Sequence, residues 1–181
     1  LLNTKPEKIA SIIGDLASIE SIYSLKKLMD SIKSPNTECR QDGSKISGGR
    51  ERWLFNSKLS GIDDSDGCLL IGTNPRIEAA LINSRIIRKS KENNYSIGLL
   101  GSKVDLNYNY NFLGDDPEII YDLIYGTNPF SENLSKMDNP LMIIGQGALK
   151  GDKGEDYLNL CIELAYKYNF LKDEWNGFNV L

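Results

Sequence analysis

Short apolar runs alternate with amphipathic segments along almost the whole chain. The runs at 8–16, 68–71, 96–101 and 141–145 have the length and composition of buried strands, and a further strand begins at 179. Between most of these runs lies a segment in which apolar residues recur at helical spacing. Because strands alternate with helices, the pattern predicts an α/β fold with a doubly wound, mostly parallel sheet and helices on both faces.

Four segments show clear helical spacing. They cover 22–32, 77–91, 116–126 and 155–170, and a weaker helical turn is predicted at 131–137. The first of these helices has two candidate N-cap residues, Ser18 and Ser21.

Three stretches fit this pattern less well. Periodicity is lost over 37–60, and a connection of this length is often functional or docked on a partner. The stretch 104–110 alternates apolar and polar residues, which is typical of either an edge strand or an extended loop. We interpret Asp63, Asp64 and Asp66 as a capped turn, because they lack the glycine and glutamate of a calcium loop.

The length of 181 residues fits one domain. We therefore predict a single α/β domain over 1–181 that includes the irregular segment 37–60. The chain begins with two leucines in place of an initiator methionine, which indicates a fragment of a longer subunit.

Composition excludes several classes of function. Hydrophobic residues make up 40% and charged residues 25% of the chain, which is typical of a globular protein without direct membrane insertion. The net charge of −4 supplies no positive field for nucleic acid. Histidine is absent, which removes imidazole bases, imidazole metal ligands and histidine-activated nucleophiles.

The cysteines are too far apart in sequence for a disulfide framework or a metal motif, so we predict no metal site in this chain. They are Cys39, Cys68 and Cys161. A thiolate at Cys39 beside Arg40 is a less favoured alternative.

One helix carries a basic face that is either solvated or in contact with an acidic surface. This face consists of Arg85, Arg88 and Lys89.

The sharpest local motif is the turn that follows the second predicted strand. Gly72, Thr73, Asn74, Pro75 and Arg76 lead from this strand into a helix. Backbone N–H groups at a helix start beside an arginine form a candidate phosphate site. In the favoured alternative the turn is structural, with Gly72 and Pro75 shaping it and Asn74 capping the helix.

A second glycine-rich loop follows the strand at 141–145. Gly145, Gly147 and Gly151 give it the spacing of a possible pyrophosphate loop. The chain ends at the next strand, where a dinucleotide fold would place an acidic residue. A flexible loop is therefore the favoured interpretation.

The stretch 69–86, which reads LLIGTNPRIEAALINSRI, is distinctive, and 98–106 and 112–117 add to it. Together they resemble the large iron-sulfur subunit of respiratory NADH-quinone oxidoreductase (complex I), in its molybdopterin-oxidoreductase-like region. Weaker similarity runs from about residue 8 to the end of the chain. The resemblance implies a Rossmann-like, molybdopterin-oxidoreductase-like fold.

The resemblance also implies two alternative functions. In catalytic members of the superfamily, the G-x-N-P turn contacts the phosphates of a pterin dinucleotide, and an upstream cysteine, selenocysteine or serine ligates molybdenum or tungsten. Cys39 lies roughly in that upstream region. In the complex I subunit the same region holds no such cofactor, and iron-sulfur clusters in the N-terminal part carry the electrons.

The favoured function is therefore a cofactor-free structural module with no catalytic or cofactor-binding residues of its own. The resemblance implies iron-sulfur clusters only in the N-terminal part of the parent subunit. It implies that the partners are other subunits and domains of the respiratory complex. The expected location is the peripheral arm, on the cytoplasmic face of the bacterial inner membrane or the mitochondrial matrix side. The alternatives are the pterin-dinucleotide-binding part of a true molybdopterin oxidoreductase and, from the fold alone, a free-standing nucleotide-binding enzyme.

Overall fold

The computed structural model describes residues 3–14, 17–39 and 46–181. The chain divides into two compact units, 1–44 and 45–181. The prediction of a single domain over the whole chain stays a prediction, and each unit is described by itself.

The first unit contains a helix and two short strands. A 3₁₀ turn, Pro6–Lys8, precedes β1 (Ala10–Ile12), α1 (Ile19–Ser31) and β2 (Asn36–Glu38), and β1 pairs with β2 in parallel. Ser18 caps α1, because its side chain accepts a hydrogen bond from the Ser21 N–H at 3.3 Å. The predicted helix over 22–32 is confirmed.

The prediction of a buried strand over 8–16 is wrong for the residues that the structure describes. Strand β1 is three residues long, and Ile12 at its end is 73% exposed. Its partner β2 is itself exposed at every position. A two-stranded sheet of this size buries little apolar surface, so the apolar composition of the run does not translate into burial.

The second unit is built on a five-stranded parallel sheet. The strands are β3 (Gly67–Ile71), β4 (Ser96–Leu100), β5 (Asn111–Gly114), β6 (Pro140–Ile144) and β9 (Phe178–Val180). Their order across the sheet is β5-β4-β3-β6-β9. The two central strands, β3 and β6, are buried at every position. Continuous apolar runs of this kind are expected where a parallel sheet is covered on both faces.

Six helices and a small hairpin surround this sheet among the described residues. The helices are α2 (Lys58–Asp64), α3 (Pro75–Glu78), α4 (Ala80–Lys89), α5 (Ile119–Tyr125), α6 (Ser131–Leu134) and α7 (Gly154–Lys167). The antiparallel hairpin pairs β7 (Leu171–Lys172) with β8 (Trp175–Asn176). Two 3₁₀ turns cover Arg50–Arg52 and Gln146–Leu149.

Alternate side chains of the central strands point into two separate hydrophobic clusters. Leu69 and Ile71 pack with residues of α5, α6 and α7. Cys68 and Leu70 pack with residues of α2 and α4 on the other face. The predicted α/β fold, with a doubly wound parallel sheet and helices on both faces, is confirmed.

Several local predictions need correction. The helix predicted over 77–91 is interrupted at Ala79, whose φ of −150° and ψ of 75° divide it into α3 and α4. The segment 37–60 is not wholly irregular, because β2, a 3₁₀ turn and the start of α2 fall within it, and residues 40–45 lie outside the described part. The stretch 104–110 is a loop, and β5 begins only at Asn111.

The acidic cluster before β3 is not one capped turn. Asp63 and Asp64 end α2, and the Asp63 carboxylate pairs with both Arg85 and Arg88. Burial raises the pKa of Asp63, but its hydrogen bonds and charge interactions with these arginines outweigh that effect and hold the pKa below its usual value. Arg85 and Arg88 of the predicted basic face are thus paired. The third member, Lys89, is only 8% exposed and pairs with Glu92 at 2.6 Å, so a solvated face is wrong for this residue.

The side chain of Asn179 connects the last strand of the sheet to neighbouring backbone segments by hydrogen bonds. It is fully buried, and its amide nitrogen donates to the carbonyl oxygens of Met142 and Gly177 at 3.1 and 3.0 Å. Its Oδ1 accepts from the Ser57 N–H at 2.9 Å. This one side chain satisfies three backbone groups and joins β9 to the segment before α2.

We expect Asn179→Ala to lower the free energy of unfolding by about 1–3 kcal/mol, because buried backbone donors and acceptors lose their partners. Urea denaturation measures this loss. The matched control is Asn159→Ala, which removes an exposed amide that accepts from Arg52 at 2.7 Å. Its effect is expected to stay within about 0.5 kcal/mol. Equal effects of the two substitutions would contradict this role for Asn179.

Candidate functional site

The candidate site lies at the carboxyl edge of the parallel sheet, where β3 ends. The strands β4 and β6 flank β3 on opposite sides, so the chain leaves β3 at the point where the strand order reverses. Ligands of open α/β sheets bind in the crevice outside this point. The turn Gly72–Arg76 predicted from the sequence begins here and leads into α3.

Backbone packing closes the edge between the ends of β3 and β6. The Gly72 N–H donates to the Leu100 carbonyl oxygen, and the Gly145 N–H donates to the Ile71 carbonyl oxygen, both at 2.8 Å. A Cβ added to Gly145 would lie 2.5 Å from the Gly72 carbonyl oxygen. The two turns are therefore in direct contact, with no space between them for a side chain.

Gly72 also has a backbone conformation that favours glycine. Its φ is +57°, and an added Cβ would lie 2.6 Å from the Cβ of Ala148. The first part of the structural interpretation, a sharp exit from the strand at Gly72, agrees with this geometry.

The predicted cap at Asn74 is wrong. Asn74 precedes α3, but its side chain makes no capping hydrogen bond, and its Oδ1 is buried with no hydrogen-bond partner in the described part of the chain. The backbone of Asn74, with φ −118° and ψ 86°, differs from the more extended geometry of Ser18. A different residue accepts a hydrogen bond from the Asn74 N–H.

That residue is Glu78, which the sequence reasoning missed. Its Oε1 accepts from the Asn74 N–H at 2.7 Å, and its Oε2 accepts from the Thr73 hydroxyl at 2.9 Å. The signal in the sequence was a glutamate four residues after Asn74, a spacing close to that of a capping box. The same N–H and hydroxyl are the donors that would hold a phosphate, so an internal carboxylate takes the position of an anionic ligand.

Arg76 is also engaged within the chain. Its guanidinium donates to the carboxylate and the carbonyl oxygen of Asp105, at 2.6 and 3.2 Å. The Asn107 N–H and the Arg76 guanidinium hold the pKa of Asp105 below its usual value. The cation of the proposed phosphate turn therefore already has an anionic partner.

A crevice of about 930 Å³ opens beside the turn. We call it the carboxyl-edge crevice. Its lining contains five carboxylates and two lysines. The carboxylates are Glu78, Asp115, Asp116, Glu118 and Asp156, and the lysines are Lys150 and Lys153. Burial raises the pKa of Tyr157 in the same lining. The excess of negative charge is unfavourable for a polyphosphate.

The second glycine-rich loop forms part of this crevice through Gly147 and Gly154. A 3₁₀ turn, Gln146–Leu149, brings Ala148 against Gly72. Gly151 has a φ of +74° and no atom within 4 Å of an added Cβ. The start of the loop is thus packed on the Gly72 turn, whereas Gly151 lies in open space.

The cysteines do not form one site. Cys68 and Cys161 are fully buried in the two different hydrophobic clusters, and burial raises the pKa of both thiols. Cys39 is exposed and belongs to the first unit, and its neighbour Arg40 lies outside the described residues. Over the described ranges, no cluster of three or more histidine, cysteine, aspartate or glutamate side chains has the arrangement of a metal site.

None of the helices in the described part of the chain is both long and apolar enough to cross a bilayer.

The fold and the turn define a doubly wound, parallel α/β protein. The family model for molybdopterin oxidoreductases matches residues 1–181, and the chain belongs to this family. It is 35% identical over 178 residues to the mitochondrial NADH dehydrogenase [ubiquinone] iron-sulfur protein 1 of Solanum tuberosum. It is 36% identical over 180 residues to the G subunit of NADH-quinone oxidoreductase of Rickettsia conorii, and 34% identical over 178 residues to that of Rickettsia bellii.

These alignments cover 98%, 99% and 98% of this chain but 24%, 27% and 26% of the three relatives. The chain therefore spans about a quarter of the length of the relatives that it matches. The resemblance to the large iron-sulfur subunit of NADH-quinone oxidoreductase is confirmed.

Removing the Glu78 carboxylate should destabilise the turn. We expect Glu78→Ala to lower the free energy of unfolding by about 0.5–2 kcal/mol, the usual cost of losing a helix cap. Glu78→Gln keeps an acceptor for the Asn74 N–H and should lose less. Urea denaturation compares these variants with Glu132→Ala, which removes an exposed glutamate from the first turn of α6. If Glu78→Ala and Glu132→Ala had the same effect, the capping role would be wrong.

Proposed function

We propose that this chain is a cofactor-free structural α/β module of the iron-sulfur subunit of NADH-quinone oxidoreductase. It supports electron transfer from NADH to quinone, which iron-sulfur clusters outside this chain carry out. The names of the relatives support the choice of complex. The carboxylate of Glu78 on the Asn74 N–H and the Thr73 hydroxyl is the single observation that carries the cofactor-free assignment.

The residues present do not fit a pterin dinucleotide. A phosphate at the turn would have to displace Glu78 from its two donors and compete with Asp105 for Arg76. Two unit charges at 4 Å interact by about 1 kcal/mol in water and by about 4 kcal/mol near a protein surface. A pyrophosphate in the carboxyl-edge crevice would meet five carboxylates and only two lysines. The occupied donors and the excess of carboxylates both disfavour the pterin-dinucleotide and nucleotide alternatives.

The module acts by presenting rigid surfaces to its partners. Two hydrophobic clusters fix the sheet, and the helices and loops around it form the contact surfaces. The partners are other subunits and domains of the respiratory complex. The module belongs to the peripheral arm, on the cytoplasmic face of the bacterial inner membrane or the matrix side of the mitochondrial one. It binds no nucleic acid and does not insert into the bilayer.

Calorimetric titration with guanine nucleotides and with pterin dinucleotide tests the cofactor-free assignment. We expect no heat of binding at micromolar concentrations, because Glu78 and Asp105 already occupy the donors of the turn. Micromolar binding that Arg76→Ala abolishes would overturn the proposal and favour the pterin-dinucleotide alternative. Binding that Arg76→Ala leaves unchanged would equally overturn it, by placing a nucleotide site elsewhere in the chain.

A further inference from the structure

We propose that the carboxyl-edge crevice is a docking groove for a polypeptide segment in which arginine or lysine alternates with apolar residues. This inference rests on the proposed function only in that no cofactor fills the crevice. The partner that binds the crevice is a protein segment of basic and apolar composition. Charge complementarity and the apolar floor of the crevice carry the inference.

The crevice carries a net negative charge, because its five carboxylates outnumber Lys150 and Lys153. Asp115, Glu118 and Asp156 are exposed, and none of them forms an ion pair with another described residue. Asp116 is also exposed, and one of its oxygens accepts from the Glu118 N–H at 2.9 Å. In contrast, Asp63 and Asp105 elsewhere in this unit each pair with arginine. An added cationic group in the crevice would therefore gain charge interactions that the chain does not supply itself.

The apolar floor of the crevice consists of Val104, Tyr157 and Leu160, each of which is half-buried. Ile71 and Leu100 at the strand ends also line the crevice but are only 1% and 2% exposed, so they add almost no surface. A small polar ion would not cover the apolar floor. A segment with apolar and cationic side chains contacts both the apolar floor and the carboxylates of the rim.

Tyr121 adds an aromatic surface to the same rim. Its side chain is 43% exposed and lines the crevice, one helical turn after Pro117. Guanidinium groups stack on aromatic rings and pair with carboxylates, so an arginine fits this combination better than a neutral side chain does.

Other ligand classes fit less well. Nucleotides and anionic lipid headgroups carry phosphates, which the five carboxylates repel. Among the described residues, the carboxylates do not form a cluster suited to a metal ion. The combination of an acidic rim with an apolar floor therefore favours a basic protein segment.

Fluorescence anisotropy of labelled peptides tests the inference with the 181-residue chain. One peptide alternates arginine and leucine, and its partner replaces each arginine with glutamate. We expect the arginine peptide to bind, with an affinity that falls as salt rises. We expect no binding of the glutamate peptide.

The triple variant Asp115→Asn, Glu118→Gln, Asp156→Asn removes three rim charges and keeps the side-chain shapes. We expect it to weaken binding about tenfold. The matched control Glu132→Gln, Glu163→Gln, Asp173→Asn makes the same charge change at exposed positions outside the crevice. It should weaken binding less than about twofold. Thermal unfolding checks that both triple variants are folded.

Absence of binding to the arginine peptide would overturn the inference. Equal losses in the two triple variants would also overturn it, because the attraction would then belong to the net charge of the chain. These results are distinguishable from a failure of the proposed function. Nucleotide binding contradicts the cofactor-free assignment, whereas loss of peptide binding without nucleotide binding contradicts only the docking groove.

Discussion

The contact between the turn after β3 and the turn after β6 is the constraint on which the rest of this structure depends. These two strands are neighbours at the point where the strand order reverses, and their exits meet backbone to backbone at Gly72 and Gly145. In an α/β sheet this is the position where a ligand commonly separates the two turns. Here the Gly145 N–H donates to the Ile71 carbonyl oxygen and joins the turn after β6 to the end of β3, while the Gly72 N–H donates to Leu100 at the end of β4.

At this edge the donors of the turn after β3 are occupied by groups of the same chain. The turn still has to leave β3 sharply and begin a helix, so its free N–H group needs a partner. Glu78 supplies that partner from within α3, and Asp105 takes up the charge of Arg76. The donors of the turn therefore take part in a helix cap and a surface ion pair.

The sequence predicted β3, β4 and β6 well, because each is a short, continuous apolar run of the kind that a covered parallel sheet buries. Strand β5 was not predicted, because its four residues are exposed or half-buried and contain no such run. Predictions failed where tertiary context decides. The run that contains β1 is apolar, but its one paired strand among the described residues offers little surface against which to bury it. The choice between Asn74 and Glu78 as cap depends on side-chain reach, which composition does not encode.

Amide hydrogen exchange at Gly72 and Gly145 tests most directly whether the carboxyl edge is closed. Both N–H groups donate at 2.8 Å to carbonyl oxygens of neighbouring strand ends. The account predicts that they exchange nearly as slowly as the amides of Leu69 and Leu70 in the fully buried β3, within about tenfold. Rapid exchange at both glycines, with β3 still protected, would show that the edge opens independently of the sheet and would contradict the account.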